Sequence, residues 1–190
     1  MSQSDVIDLQ SLQTMAKVFG SLLYFPLTDS NNQTLIQALS QDVALADSDI
    51  QAWCNTVQTE LPDSLNQDFF LLFEGGEVML APPWGSVYTD KEEVIFGDST
   101  VAYRQFLRQH DIELDTGMRE PEDQIGLMLF AVSQLIEQQQ DIDAVKPYLP
   151  NTYSLGAIAT SSWYKNMPGL KAINSLRRWF LNGVRQCKSF

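Results

Sequence analysis

Histidine is almost absent from this sequence. One residue, His110, stands in a chain of 190, yet histidine-type zinc sites, Cys-His pairs and Ser-His-Asp triads all need an imidazole at a defined place. His110 falls at the expected end of a short helix, where a cation suits the dipole, and a helix-end role is expected of it rather than catalysis. Cysteine is nearly as scarce: Cys54 and Cys187 lie far apart and in no motif, which points to a reducing compartment rather than a disulfide framework. Basic residues are few, 12 against 24 acids, for a formal net charge of −12. Such a chain is poorly suited to phosphate backbones, so no nucleic-acid partner is expected. A basic partner is attracted instead. No apolar run approaches ~20 residues, so no membrane span is expected. The opening MSQSDVIDLQ has no positive run before an apolar core and does not read as a signal peptide. A cytoplasmic address follows.

What is present is helical periodicity. The chain length fits one domain, residues 1–190, with enough apolar residues for a real core. Asp5 to Phe25 places Val6, Leu9, Leu12, Met15, Ala16, Phe19, Leu22 and Leu23 on one face, and Pro26 with the polar run Thr28 to Gln33 ends that helix. Thr34 to Leu39 predicts a short second helix. Asp47-Ser48-Asp49 supplies a cap for a third, with Ile50, Trp53, Cys54, Val57 and Leu61 inward and Pro62 as its stop. Asp63 or Ser64 caps a fourth, centred on Asp68 to Phe73 and ended by Gly75-Gly76.

Glu77 to Ser99 is the least regular part. It holds Pro82-Pro83-Trp84-Gly85, and its run Glu92 to Phe96 reads as potentially extended. Trp84, Tyr88, Val94, Ile95 and Phe96 call for burial, so a long ordered loop is expected, either functional or simply packed on the bundle. Asp98, Ser99 or Thr100 then caps a helix to about His110, with Val101, Phe106 and Leu107 inward. After the loop Asp111 to Arg119, Pro121 fits the first turn of a long helix to about Gln139. Glu122 and Asp123 fit the positive end of its dipole, and Ile125, Met128, Leu129, Val132, Leu135 and Ile136 form its core stripe. Short helices at Asp141 to Tyr148 and Tyr153 to Asn166, with a turn at Pro150-Asn151, precede a last amphipathic helix from Leu170 to Arg185. The expected fold class is all-α: a single-domain helical bundle with one long ordered loop.

Catalytic signatures are missing. Neither G-x-x-x-x-G-K, G-x-G-x-x-G nor G-x-S-x-G occurs, and no cysteines have metal spacing. Glu92-Glu93 and Glu122-Asp123 are adjacent pairs whose side chains diverge by about 100° on a helix, an unsuitable acid–base dyad. Arg177-Arg178 before Trp179-Phe180-Leu181 looks like an export signal, but its place in the last helix makes it structural. No catalytic residue, metal or bound cofactor is expected.

The stretch LAPPWGSVYTDKEEVIFGDSTVAYRQFL, followed by EPEDQIGLML, resembles the TorD/DmsD family of molybdoenzyme maturation chaperones, and within it the DmsD branch. The similarity is specific from about Phe69 to Ala131 and continues into both flanks. The resemblance implies an all-helical fold. It also implies binding of the twin-arginine signal peptide of a molybdoenzyme catalytic subunit, of dimethyl sulfoxide reductase type, to delay export until cofactor insertion. Carried over by motif, the leader-binding positions are Leu72, Phe73, Trp84, Gly97, Pro121 and Asp123, with Glu122 and Gln124 beside them. Asp123 is expected to accept hydrogen bonds from arginine, and Trp84 and Phe73 to line the apolar part. Tat translocase components are implied as further partners, as are GTP or the molybdenum cofactor. Two departures stand out. Gln124 occupies the place of the family's histidine and cannot titrate near neutral pH, and Pro168-Gly169-Leu170 lacks the family's aromatic pair. The competing readings are a GTP-binding or hydrolysing enzyme, and an assembly factor for a client without a twin-arginine leader.

Overall fold

Two helices far apart in sequence form the spine of the site-bearing part of the molecule. In a computed structural model that describes residues 9–138, apart from 47, 76–78, 80, 115, 117 and 118, α1 (Leu9–Tyr24) packs along α7 (Ile125–Glu137). Their approach depends on two glycines. A Cβ on Gly126 would lie 2.8 Å from the Gly20 carbonyl oxygen and 2.8 Å from the Tyr24 Cβ, while one on Gly20 would meet the Phe130 ring at 2.9 Å. Toward the other end, the Gln13 amide donates to the Ser133 carbonyl at 3.4 Å, and Lys17 pairs with Glu137 at 3.1 Å in the open.

The described residues fall into two compact units, one of residues 26–79 and one of residues 9–25 with 81–138. In the second unit, α5 (Ser86–Thr89) and α6 (Asp98–Gln109) accompany α1 and α7. Its core joins Ala16, Tyr103, Phe106, Leu107 and Ile112 to Ala131, Val132 and Leu135. His110 caps the C-terminal end of α6 and lies 4.5 Å, ring to ring, from Phe106. The first unit holds α2 (Ser30–Gln41), α3 (Asp49–Thr59) and α4 (Pro62–Phe69), the last running into a π-helical turn at Phe70–Glu74. Ile36, Ile50, Trp53, Cys54, Val57, Leu65 and Phe69 are buried there. Every regular element among the described residues is helical, so the fold class is all-α.

Several expected boundaries move. Helix α2 begins inside the polar run Thr28 to Gln33, because Asp29 accepts from the Asn31 N–H at 2.8 Å and turns that run into a helix start. Pro62 opens α4 rather than merely stopping α3, so Asp63 and Ser64 lie inside the helix and neither caps it. Leu61, now an extended residue between helices, is 73% exposed instead of inward. No strand forms at Glu92 to Phe96; Val94, Ile95 and Phe96 are exposed, and Val101 faces outward while Tyr103 takes the buried place. Gly97 is the N-cap of α6, in place of Asp98, Ser99 or Thr100. Pro121 does not start α7. Residues 121–124 form a turn closed by Gln124 N–H to the Pro121 carbonyl at 3.2 Å, and Gln124 is the cap. Glu122 and Asp123 therefore precede the helix instead of occupying its first turn. The expected start at Asp5, the helices beyond Gln139, Arg177-Arg178 and Cys187 lie outside the described residues.

The glycine contact has a measurable consequence. Alanine in place of glycine within a helix ordinarily stabilises by up to about 1 kcal/mol, but Gly126→Ala drives a methyl into the Gly20 carbonyl and the Tyr24 Cβ. Net destabilisation of about 1–2 kcal/mol is expected, read as a lower urea midpoint at unchanged slope. A stabilised variant would show that α1 and α7 do not need this clearance.

Candidate functional site

The two segments that carry the motif residues come together as backbone first. Pro83, Trp84 and Gly85 run antiparallel to Asp123, Gln124 and Ile125, forming an isolated bridge at Trp84 and Gln124. Gly85 N–H donates to the Asp123 carbonyl at 2.9 Å and Ile125 N–H to the Pro83 carbonyl at 2.8 Å. Pro83 has no N–H to offer, and it contributes only its carbonyl here. The Asp123 side chain adds a third link, its Oδ2 accepting from Ser86 N–H at 2.7 Å. Asp123 is 3% exposed, and its Oδ1 is buried without a hydrogen-bond partner among the described residues. The Trp84 indole N–H and the Ser86 and Thr100 hydroxyls are in the same condition.

Gln124 ties the bridge to both long helices. Its Oε1 caps α7 by accepting from Leu127 N–H at 3.0 Å, and its Nε2 donates to the Leu23 carbonyl at 3.1 Å. Donor and acceptor are both engaged. A neutral histidine could also offer one of each, but only while neutral, whereas the amide does so at every pH. Pro121 is buried beside it.

The acidic side chains around this bridge are engaged too. Arg104 of α6 grips Glu122 with two bonds, Nε to Oε1 and a terminal nitrogen to Oε2, both 2.6 Å, the bidentate geometry suited to a planar guanidinium. These bonds hold the Glu122 carboxyl below its ordinary pKa, with partial burial working against them. Glu120 accepts from the Tyr24 hydroxyl at 3.0 Å. Burial pushes Glu120 up, and burial with the Glu120 contact pushes the Tyr24 phenol up to about 12.

Gly97 has a different task. Asp90, at the end of α5, turns its carboxylate onto Ser99 N–H at 3.0 and 3.3 Å and so satisfies the first turn of α6 from outside. Any Cβ on Gly97 would collide with that carboxylate. The Thr89 hydroxyl reinforces the same junction by donating to the Ser99 hydroxyl at 3.0 Å. Of the eight residues marked by the sequence, Trp84, Pro121, Glu122, Asp123 and Gln124 meet at the bridge, and Gly97 sits at the neighbouring loop junction. Leu72 and Phe73 belong to the other compact unit, buried in its π-helical turn. Sequence reasoning missed Arg104, Asp90, Ser86, Tyr24 and Glu120. Arg104 carries no local signal that separates it from the exposed Arg108 one turn on, because its partner lies across a loop. Among the described residues, no group of three His, Cys, Asp or Glu is placed to hold a metal ion, and no helix is long and apolar enough to cross a membrane.

Two outcomes follow. Gly97→Ala displaces the Asp90 carboxylate and is expected to cost about 1 kcal/mol, the worth of a helix cap. Asp90→Ala should cost a similar amount, and the double variant less than the sum; full additivity in urea denaturation would separate the two residues. For Glu122 the sign is set by its depressed pKa. Its pairing stabilises the fold above its ordinary 4.5 and is lost as pH falls through the lowered value. Glu120, raised by burial, works in the opposite sense, its contribution being lost as pH rises through the raised value. Glu122→Gln should therefore flatten the acid limb of stability below about pH 5, where the pairing is lost. An unchanged limb would show that the Arg104 pair is not what acid breaks.

Comparison with known proteins converges on one family. The family described as "Nitrate reductase delta subunit" matches residues 36–155. The chain is 30% identical over 185 residues to the "Probable Tat proofreading chaperone DmsD" of Haemophilus influenzae, covering 90% of this chain and 91% of that one. It is 36% identical over 127 residues to the "Tat proofreading chaperone DmsD" of Salmonella typhi, and 28% identical over 138 residues to the "Chaperone protein TorD" of a Psychrobacter species. Those two alignments each take in 62% of the relative's own length. Both motif segments that form the bridge lie inside the matched range, and the chain belongs to the nitrate reductase delta subunit family, in its TorD/DmsD group.

Proposed function

We propose that this protein is a cytoplasmic maturation chaperone. It binds the twin-arginine signal peptide of a molybdoenzyme precursor and delays export until cofactor insertion and folding are complete. The client is a catalytic subunit of the dimethyl sulfoxide reductase type, and release of the leader hands it to the Tat translocase. The observation that carries this reading is the similarity to a Tat proofreading chaperone along nine-tenths of the chain. The chemistry of the ligand agrees with it. A leader is basic and then apolar, and a chain of formal charge −12 attracts the first part at long range, most strongly at low salt. The work is binding rather than catalysis.

Within this reading, Asp123 joins the two motif segments through Ser86 and keeps one buried carboxyl oxygen without a partner among the described residues. That oxygen is the acceptor assigned to a leader arginine, which has to displace covering side chains to reach it because Asp123 is buried. Glu122 and Gln124 hold the bridge in place around it, one through Arg104 and the other through Leu23 and Leu127.

A synthetic peptide carrying the arginine pair and its apolar segment is expected to bind with micromolar or tighter affinity in calorimetry. Absence of heat with several such leaders would sink the reading. Asp123→Ala should weaken binding by roughly 1.5–3 kcal/mol, the range for a hydrogen bond to a charged group. Asp123→Asn keeps an acceptor for Ser86 but lacks the charge. If both variants fold and bind like the parent, Asp123 is a brace and nothing more.

A further inference from the structure

We propose that the tip of the loop between α5 and α6, Val94, Ile95 and Phe96, together with Val101 on the first turn of α6, is the docking surface for the apolar segment of the leader. This rests on the chaperone reading above and names a surface outside the motif residues. The motif residues are largely interior: Pro121, Asp123 and Gln124 are buried, as are Leu72 and Phe73 in their own unit. Among the described residues, Val43, Leu61 and Phe70 are exposed singly in the other unit, and the one consecutive run of exposed large hydrophobics is at the loop tip. Val94 is 49% exposed, Ile95 43%, Phe96 56% and Val101 48%. Single exposed hydrophobics are ordinary, but three consecutive ones with a fourth nearby mark a surface that something covers.

The loop is built to present them. Glu93 (φ +51°) and Phe96 (φ +65°) both take left-handed backbone, which is unfavourable for a bulky residue and persists only where the surroundings enforce it. The enforcement is visible at the base. Asp90 and Thr89 clamp Ser99, and Gly97 leaves room for the Asp90 carboxylate. Residues 91–98 thus leave and return at one fixed point, the form of a compact surface loop. This also gives Gly97 a role in binding that its own lack of a side chain could not.

Charge selects the occupant. Asp90, Glu92, Glu93 and Asp98 border the tip against one base, Lys91. An apolar patch with an acidic rim complements a peptide whose arginines precede an apolar stretch. A second copy of this chain brings the same acidic rim, and an anionic membrane surface brings like charge, so both are disfavoured.

The test uses the full chain and a fluorescein-labelled twin-arginine leader peptide, followed by anisotropy. Ile95→Ser with Phe96→Asn keeps the left-handed turn, since asparagine tolerates it, and removes the apolar tip. Affinity is expected to fall roughly tenfold or more, consistent with loss of two partly buried apolar side chains, at unchanged helical circular dichroism. Leu61→Ser, an exposed apolar site in the other unit, should bind like the parent. Glu92→Gln with Glu93→Gln should slow association and flatten its salt dependence. Should the tip variant lose its helical signal, Val94→Ser is read in its place. Parent-like binding by the tip variants overturns the inference while leaving the chaperone reading intact; no binding by the parent overturns both. Equal losses in the tip variant and Leu61→Ser would mark the binding as non-specific, and a parent dimer that the tip variant converts to monomer in sedimentation would assign the surface to a second copy. Either result rejects the proposal.

Discussion

The structure around the candidate site hangs on the short antiparallel contact of Trp84 with Gln124. Two backbone bonds would be a slight attachment alone. What makes it decisive is that each partner is fastened to something larger. Asp123 reaches across to Ser86 at the start of α5, and Gln124 caps α7 while holding the last turn of α1. Glu122 carries the same connection to α6 through Arg104. Three consecutive side chains thus link one turn to α5, to α6, and to α1 with α7. A buried polar group pays for its desolvation only when hydrogen-bonded, so each of these links also fixes a geometry.

The helices themselves were legible because burial and helical spacing coincide. The stripe Ile125, Leu129, Val132 and Leu135 is buried as its spacing requires, and the third helix buries Ile50, Trp53, Cys54 and Val57 with Ser48 as its cap. The start of α7 was not legible. Pro121 followed by two acids is a normal helix opening by local rules. The bridge overrides those rules by drawing Gln124 into extended backbone, and the helix can begin only after it. Leu61 was misplaced for a related reason. Helical spacing cannot reveal that the chain has already left the helix, and Pro62 reads equally well as a stop or as a start.

For the site, the family resemblance named residues whose contacts no linear pattern could convey. Gly97 shows the difference. As a motif glycine it suggests a point where a ligand approaches the backbone, yet the group that needs its space is Asp90, seven positions earlier and marked by no local signal. Val94, Ile95 and Phe96 failed in the opposite direction. Apolarity argued for burial, but whether a side chain is covered depends on the backbone that carries it, and left-handed residues at 93 and 96 are invisible to hydropathy.

A leader-holding chaperone must bind firmly enough to delay export and loosely enough to let go. Affinity of this kind comes less from contact area than from how little must be ordered on binding. An apolar tip on a free loop would lose its gain to the entropy of ordering. A tip whose base is clamped by Asp90 and Ser99 has met that cost during folding, so a few apolar side chains suffice. The acidic rim adds attraction that acts mainly on the rate of arrival and weakens with salt, leaving departure to the apolar contact and to the arginine held at Asp123. Arrival and departure are then governed by different side chains, and those of the tip and rim can change without disturbing the Asp90–Ser99 clamp that holds the loop in place.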